Sequence, residues 1–194
     1  MIEVRRAIDH DCAALARLHA RSLPGSMLSR LRDAGLERYY RFAIASPVER
    51  VWVAVDPEVI GGCVLSEEPG SVLGRFARYA PLALASELGT AILRDHSFRR
   101  RMVKRLREHG DEPHAPEVTQ IFTDASRRGE GIGASLLRTC EASLRDAGVR
   151  NYFVHTERDD NEAGIRFYRR EGFVTIGESQ SFGQSFLVMQ KDLV

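Results

Sequence analysis

The stretch Arg127-Arg128-Gly129-Glu130-Gly131-Ile132-Gly133-Ala134 sits between an apolar run, Val118 to Thr123, and a segment whose apolar residues Leu136, Leu137, Cys140 and Leu144 fall at helical spacing. It therefore reads as a turn that leads a strand into a helix. Glycines let the backbone take positive φ and approach a ligand closely, so successive N–H groups can converge on an anion at the positive end of the helix dipole. Such a turn can cradle a diphosphate, with Arg128 as a charge-assisted donor. A lone Gly-x-Gly would be no more than a tight turn. Here three alternating glycines follow two arginines.

The same residues also satisfy a dinucleotide fingerprint, Gly129-x-Gly131-x-x-Ala134, and Glu157 follows the next strand at a plausible distance. The context argues against that reading. In a dinucleotide fold the first glycine comes almost directly off the strand, whereas Asp124 to Arg128 intervene here. Only about sixty residues follow the turn, too few to complete a nucleotide-binding half-domain. No G-x-x-x-x-G-K-[ST] occurs, which removes the P-loop nucleotide enzymes.

Downstream of the turn the pattern predicts a helix over about Gly131 to Asp146, ended by Gly148, and a strand over Tyr152 to Thr156. A helix from about Asn161 to Arg170 follows, stopped by Gly172, and then strands at Phe173 to Ile176 and Phe186 to Gln190. Asn161 and Tyr168 are two helical turns apart, so they share a face with Ile165 between them. Read blandly, Asn161 is a helix N-cap and Phe167 and Tyr168 are core aromatics.

Upstream, Ile2 to Ala7 reads as a strand, and Asp9 as the cap of a helix carrying Cys12, Leu15, Ala16 and Leu18 at helical spacing. Pro24-Gly25 breaks that helix, and a second stretch with Leu28, Leu31, Leu36, Tyr39, Tyr40 and Phe42 runs to Ser46-Pro47. Val51 to Val55 and Val59 to Leu65, joined by Asp56-Pro57-Glu58, form a hairpin. From Glu67 to Ala115 helical stretches around Leu82 to Leu93 and Ser97 to His109 replace the strand pattern. The expected fold is α/β of the α+β type: a mixed, mostly antiparallel sheet of about seven strands flanked by helices. Residues 67–115 are a helical insertion between the third and fourth strands of one domain spanning residues 1–194.

Taken together, R-G-x-G-I-G at a strand-to-helix turn and Asn161-x-Ala163-x-x-x-Phe167-Tyr168-x-x-x-Gly172-Phe173 resemble the paired motifs of the GNAT superfamily of N-acetyltransferases. The resemblance is strong from Val118 to Ile176, fits the opening elements by pattern only, and does not account for residues 67–115. Gly164 departs from it, standing where a second small or polar residue is usual; the expectation is that this costs helix propensity and touches no chemistry. Asp124-Ala125-Ser126 also departs, since a proline is more usual there.

The resemblance implies acetyl-CoA as co-substrate, with no metal, and direct attack of an amine on the thioester through a tetrahedral intermediate. It places Tyr168 as the acid that protonates the leaving thiolate, and Asn161 on the cofactor arm. The backbone of Ile121, Phe122 and Thr123, with Arg128, Gly129, Gly131, Ile132, Gly133 and Ala134, would hold the rest of the cofactor. For the base, Glu117 is the leading candidate: it shares strand parity with Thr119, Ile121 and Thr123, and its place resembles that of the glutamate in some family members. Glu67, Glu68 and Asp124 are weaker candidates, and His155 is expected to be a partly buried strand residue. His109, His114 and Glu117 have no recognisable metal-ligand spacing.

The whole chain bounds the partners. It has 194 residues, 43% hydrophobic and 28% charged, the balance of one compact domain. A formal charge of +1 gives no bulk case for nucleic acid or an anionic membrane. Cys12, Cys63 and Cys140 are far apart and sit in apolar patterns, as core thiols do. The start lacks a signal-peptide core and no run of about 18 apolar residues occurs, so the expected location is the cytoplasm. The expected partner is a small-molecule amine, an amino sugar or nucleotide-linked amino sugar among them, and a homodimer is compatible with this reading. Two alternatives stay open: a non-catalytic acyl-CoA sensor or scaffold, and a protein N-terminal or lysine acetyltransferase. The basic amphipathic stretch 97–107 fits either a core-packed helix with a solvated face or one beside the acceptor cleft that attracts an anionic acceptor.

Overall fold

The computed structural model describes residues 1–31, 33–81, 115–181 and 184–193. The elements run β1 (Glu3–Arg6), α1 (Cys12–Ser22), α2 (Asp33–Ala45), β2 (Glu49–Val55), β3 (Val59–Ser66), α3 (Val72–Tyr79), β4 (Glu117–Thr123), α4 (Ile132–Asp146), β5 (Asn151–Glu157), α5 (Glu162–Arg170), β6 (Val174–Ser181) and β7 (Gln184–Asp192). One seven-stranded sheet has the order β1-β2-β3-β4-β5-β7-β6, and every neighbouring pair is antiparallel except β4 and β5. This is the mixed, mostly antiparallel sheet that the pattern predicts. Most of the helical insertion, including the basic stretch 97–107, lies outside the described residues; its described part adds α3, which the periodicity did not single out.

Alternating side chains send one core to each face of the sheet. On one face Leu15 and Leu18 of α1, Tyr39, Tyr40 and Phe42 of α2 and Phe76 of α3 pack together. On the other, Leu136, Leu137, Cys140 and Leu144 of α4 meet Trp52, Tyr152 and Phe173. All three cysteines are free and buried in these cores. The second face is pinned by buried Glu141 of α4, which accepts from the Tyr152 hydroxyl at 2.7 Å and from the Lys191 ammonium at 2.5 Å, fixing α4 over β5 and β7. Among the described residues no helix is long and apolar enough to cross a membrane.

The entry to α1 differs from the sequence expectation. A 3-10 turn over Asp9–Asp11 precedes the helix, so Asp11, not Asp9, takes the structural role. Its carboxylate accepts the Ile8 N–H at 2.8 Å and both ends of the Arg5 guanidinium at 2.7 and 2.9 Å. Asp9 stays exposed beside Arg41 at 3.3 Å.

One buried imidazole makes stability pH-dependent. His19 of α1 is fully buried, with Nδ1 2.7 Å from the Tyr40 hydroxyl and Nε2 2.8 Å from Ser26 Oγ. Burial lowers its pKa from 6.5 to about 4, so the unfolded chain takes up a proton that the folded chain refuses. The contribution is whole above pH 6.5 and is lost as pH falls from there towards 4, by up to about 3 kcal/mol. Urea unfolding should therefore give a lower midpoint at pH 5.0 than at pH 7.5, with a smaller drop in a His19→Gln variant. Equal drops in both proteins would remove His19 from this account.

Candidate active site

The site opens where the sheet comes apart. The parallel strands β4 and β5 keep one register pair, Glu117 with Phe153, and the Phe153 N–H reaches the Pro116 carbonyl at 3.1 Å. Beyond it each strand follows its other neighbour. β4 stays paired with β3 as far as Gly61 and Thr123, and β5 stays paired with β7 as far as Glu157 and Phe186. The end of β4 is held from behind: Ser22 Oγ donates to the Thr123 carbonyl at 3.2 Å, and the Asp124 N–H donates to the Ile60 carbonyl at 2.8 Å. The β4 backbone edge that faces β5 past Glu117 thus has no ladder partner, and it lines a cleft of about 1560 Å³.

A bulge in β4 decides which side chains face which side of that cleft. Leu65 pairs with Val118 and Val64 with Gln120, which leaves Thr119 as the extra residue. The strand parity expected from the sequence therefore fails: Glu117 and Ile121 are on opposite faces. Val118 and Ile121 face the α4 core, whereas Phe122 faces the α1–α2 core. Glu117, next to Val118, faces the α1–α2 side. On β5, Tyr152 and Val154 belong to the α4 core, so Phe153, His155 and Glu157 share the face of Glu117.

There Glu117 finds a partner that sequence reasoning missed. His155 Nδ1 lies 2.9 Å from Glu117 Oε1, with side-chain exposures of 20% and 12%, and both residues line the cleft. Their adjacency depends on β4 and β5 being neighbours in the sheet, which no local pattern announces. The weaker base candidates are occupied elsewhere. Glu67 pairs with Arg50, Glu68 with Arg75, and Asp124 accepts from the Ser126 N–H at 2.9 Å, closing a one-turn 3-10 helix where a proline is more usual.

The glycine turn has the conformation its sequence requires. Gly129 and Gly131 take φ of +88° and +77°, and a Cβ at either would meet nothing within 4 Å. The space above the turn is open. Ile132 and Ala134 are buried against the core, which leaves the backbone N–H groups at the start of α4 to face the cleft. The two arginines divide: Arg127 is held by Glu130 at 2.7 Å and Asp56 at 3.0 Å, whereas Arg128 is exposed and makes no ion pair among the described residues. Phe122 is buried in the α1–α2 core and offers the cleft its backbone.

Across the gap from Glu117, on the α4 face, α5 presents Tyr168 and Asn161. Tyr168 is buried edge-on against Phe167 and Phe173, at 5.1 and 5.3 Å between ring centroids, and lines the cleft. Its hydroxyl makes no hydrogen bond among the described residues. Burial holds the phenol pKa well above its ordinary value, and the charge of Glu117 is a lesser cause in the same direction. Asn161 stands at the N-cap of α5, yet its side chain caps nothing in the helix. Instead Nδ2 donates to Thr156 Oγ1 at 2.8 Å and to the Glu157 carbonyl at 3.3 Å. Among the described residues no three His, Cys, Asp or Glu side chains are grouped as a metal ion would need.

The sequence pattern of the acetyltransferase (GNAT) family matches residues 13–173. The chain therefore belongs to the GNAT family and is an acyl-CoA-dependent N-acetyltransferase. No curated protein sequence matches it. Solved structures with the same fold include a ribosomal-protein-alanine N-acetyltransferase from Brucella melitensis, 19% identical, covering 98% of this chain and 99% of that one with a TM-score of 0.64. An N-acetyltransferase from Staphylococcus aureus Mu50 is 14% identical, with 100% and 99% covered and a TM-score of 0.63. PaiA N-acetyltransferase from Thermoplasma acidophilum, in complex with coenzyme A, is 13% identical, with 99% of each chain covered and a TM-score of 0.58.

Proposed function

We propose that this chain acetylates the primary amine of a small molecule, taking the acetyl group of acetyl-CoA by direct attack through a tetrahedral intermediate. The observation that carries the reading is the split between β4 and β5, with the Glu117–His155 pair on one face and the Tyr168 phenol on the other. The diphosphate of the co-substrate would lie on the N–H groups of the Gly129–Ala134 turn, with Arg128 as its free cation. The pantetheine arm would run along the unpaired edge of β4, Ile121 to Thr123, and past Asn161. The thioester would then sit in the split.

The amine approaches on the Glu117 face. As an ammonium ion it must lose a proton before its lone pair can attack, and Glu117, oriented by the imidazole of His155, accepts it. The N–C bond forms as the carbonyl π electrons move to oxygen, which a β4 backbone N–H can stabilise. As the intermediate collapses the C–S bond breaks, and Tyr168, kept protonated by its burial, gives its proton to the leaving thiolate on the opposite face. The nitrogen sheds its second proton to water to leave a neutral amide, and water restores the phenol.

Amino sugars, free or nucleotide-linked, are the acceptor class to assay first; Ser26, Ser71, Ser181 and Gln184 line the cleft and suit a hydroxyl-rich ligand. A sensor that only bound acyl-CoA would need neither the phenol nor the Glu117–His155 pair. Release of coenzyme A from acetyl-CoA over a panel of amines tests the enzyme against the sensor, and stabilisation without release by any amine would favour the sensor. Glu117→Gln should lower activity most near neutral pH and recover as pH rises and free amine accumulates. A pH profile that overlays the wild type would show that Glu117 is not the base.

A further inference from the structure

Glu157 stands at the acidic position of a dinucleotide fingerprint that the chain does not build, and the reaction described above gives it no task. It ends β5 two residues beyond His155, on the same face, and lines the cleft. Its side chain is half-buried against the segment that joins α1 to α2. Oε1 lies 3.3 Å from where a Cβ on Gly25 would stand, and Gln184 Nε2 lies 4.0 Å from the same point. Gly25 and Gln184 line the cleft as well, so this oxygen stands where β5, β7 and the α1–α2 segment wall the side from which the amine approaches.

Nothing among the described residues answers the charge of Glu157, whose carboxylate makes no hydrogen bond and no ion pair there. Arg158, next in the chain, turns instead to Asp159 and Glu178, at 3.0 Å each. Glu117 has His155. A carboxylate drawn partly out of water without a partner costs free energy that a bound cation offsets. An aromatic ring beside it is likewise unpartnered. Phe186 of β7 is directly opposite Glu157 in the ladder, so the two side chains are neighbours on one face. Phe186 is half-buried, lines the cleft and has no ring or cation against it among the described residues. A carboxylate next to an aromatic ring suits an ammonium ion: one supplies opposite charge and hydrogen-bond acceptors, the other its ring face.

We propose that the acceptor carries two amino groups and that Glu157, with Phe186, binds the one that does not react. This rests on the reading of the cleft as the acetyltransferase site and narrows its acceptor. Residues two apart on a strand are separated by about 7 Å. With the reacting amine at the Glu117–His155 pair, the second ammonium therefore stands about that far away along β5. A short linear diamine and an amino sugar with a second amine across its ring offer the same pair of charges.

The test sets paired acceptors against two proteins, read as kcat/KM at saturating acetyl-CoA and neutral pH. Cadaverine is compared with hexylamine, which has a methyl group where the second ammonium would be, and glucosamine with its derivative aminated at carbon six as well. The wild type should prefer the diamine in one pair by about 10- to 100-fold, the worth of a charge-assisted hydrogen bond. Glu157→Gln should bring that ratio close to one and leave the melting temperature unchanged, because the carboxylate holds nothing in the fold. Phe186→Leu should reduce the same ratio by a few-fold. The pair that shows the preference tells a linear diamine from a diamino sugar. Equal kcat/KM within both pairs for the wild type would overturn the proposal. So would a loss of kcat in Glu157→Gln that is the same for monoamine and diamine, which would put Glu157 in the proton path instead. Release of coenzyme A with none of the four amines would sink the small-amine reading and the proposal together, whereas release with all four at like rates overturns the proposal alone.

Discussion

Tyr168→Phe is expected to lower kcat by about 10² to 10⁴-fold, the range that a positioned general acid contributes, while the affinity for acetyl-CoA changes by no more than a few-fold. The two effects separate because the ring and the hydroxyl do different things. The ring is buried against Phe167 and Phe173, and phenylalanine keeps both contacts. The hydroxyl bonds to nothing among the described residues, so its loss leaves no orphaned partner and should not lower the melting temperature. Burial, with the nearby charge of Glu117, raises the phenol pKa, so the proton is in place across the working pH range until a thiolate develops. A variant with wild-type turnover would reduce Tyr168 to a packing residue.

How much of this was legible in the sequence depends on the range of the interaction. The Gly129 and Gly131 turn, the helix behind it and the facing pair Asn161 and Tyr168 are set by contacts a few residues long, and their patterns survive in the chain. The Glu117–His155 bond joins residues 38 apart through a parallel pairing of β4 with β5, and no periodicity signals it. The parity argument for Glu117 failed for a related reason. A single extra residue at Thr119 reverses the alternation, and the apolar pattern of Val118 to Thr123 does not say where a bulge falls. Asp9 lost its expected role because the chain takes one 3-10 turn before α1, which moves the acceptor two residues on to Asp11.

Gly131→Glu should abolish the stabilisation of the protein by acetyl-CoA. At a ligand concentration about a hundred times Kd the wild type gains roughly 2.7 kcal/mol, a shift of several degrees in melting temperature. The variant should gain none, for a reason that can be separated from misfolding. Gly131 is the N-cap of α4 at φ +77°, so any other residue there carries backbone strain of about 1 to 2 kcal/mol, visible without ligand. Gly131→Ala carries the same strain and meets nothing within 4 Å, so it is the matched control for the backbone alone. It should melt lower than the wild type in the free state and still be raised by acetyl-CoA. Glutamate at the same place puts a carboxylate where the N–H groups at the start of α4 converge, occupying the cradle and repelling phosphate. Arg128→Gln should fall between them, losing one charge from the site while leaving the backbone donors intact. A folded Gly131→Glu protein that acetyl-CoA stabilises as fully as it does the alanine control would show that the diphosphate lies elsewhere in the cleft.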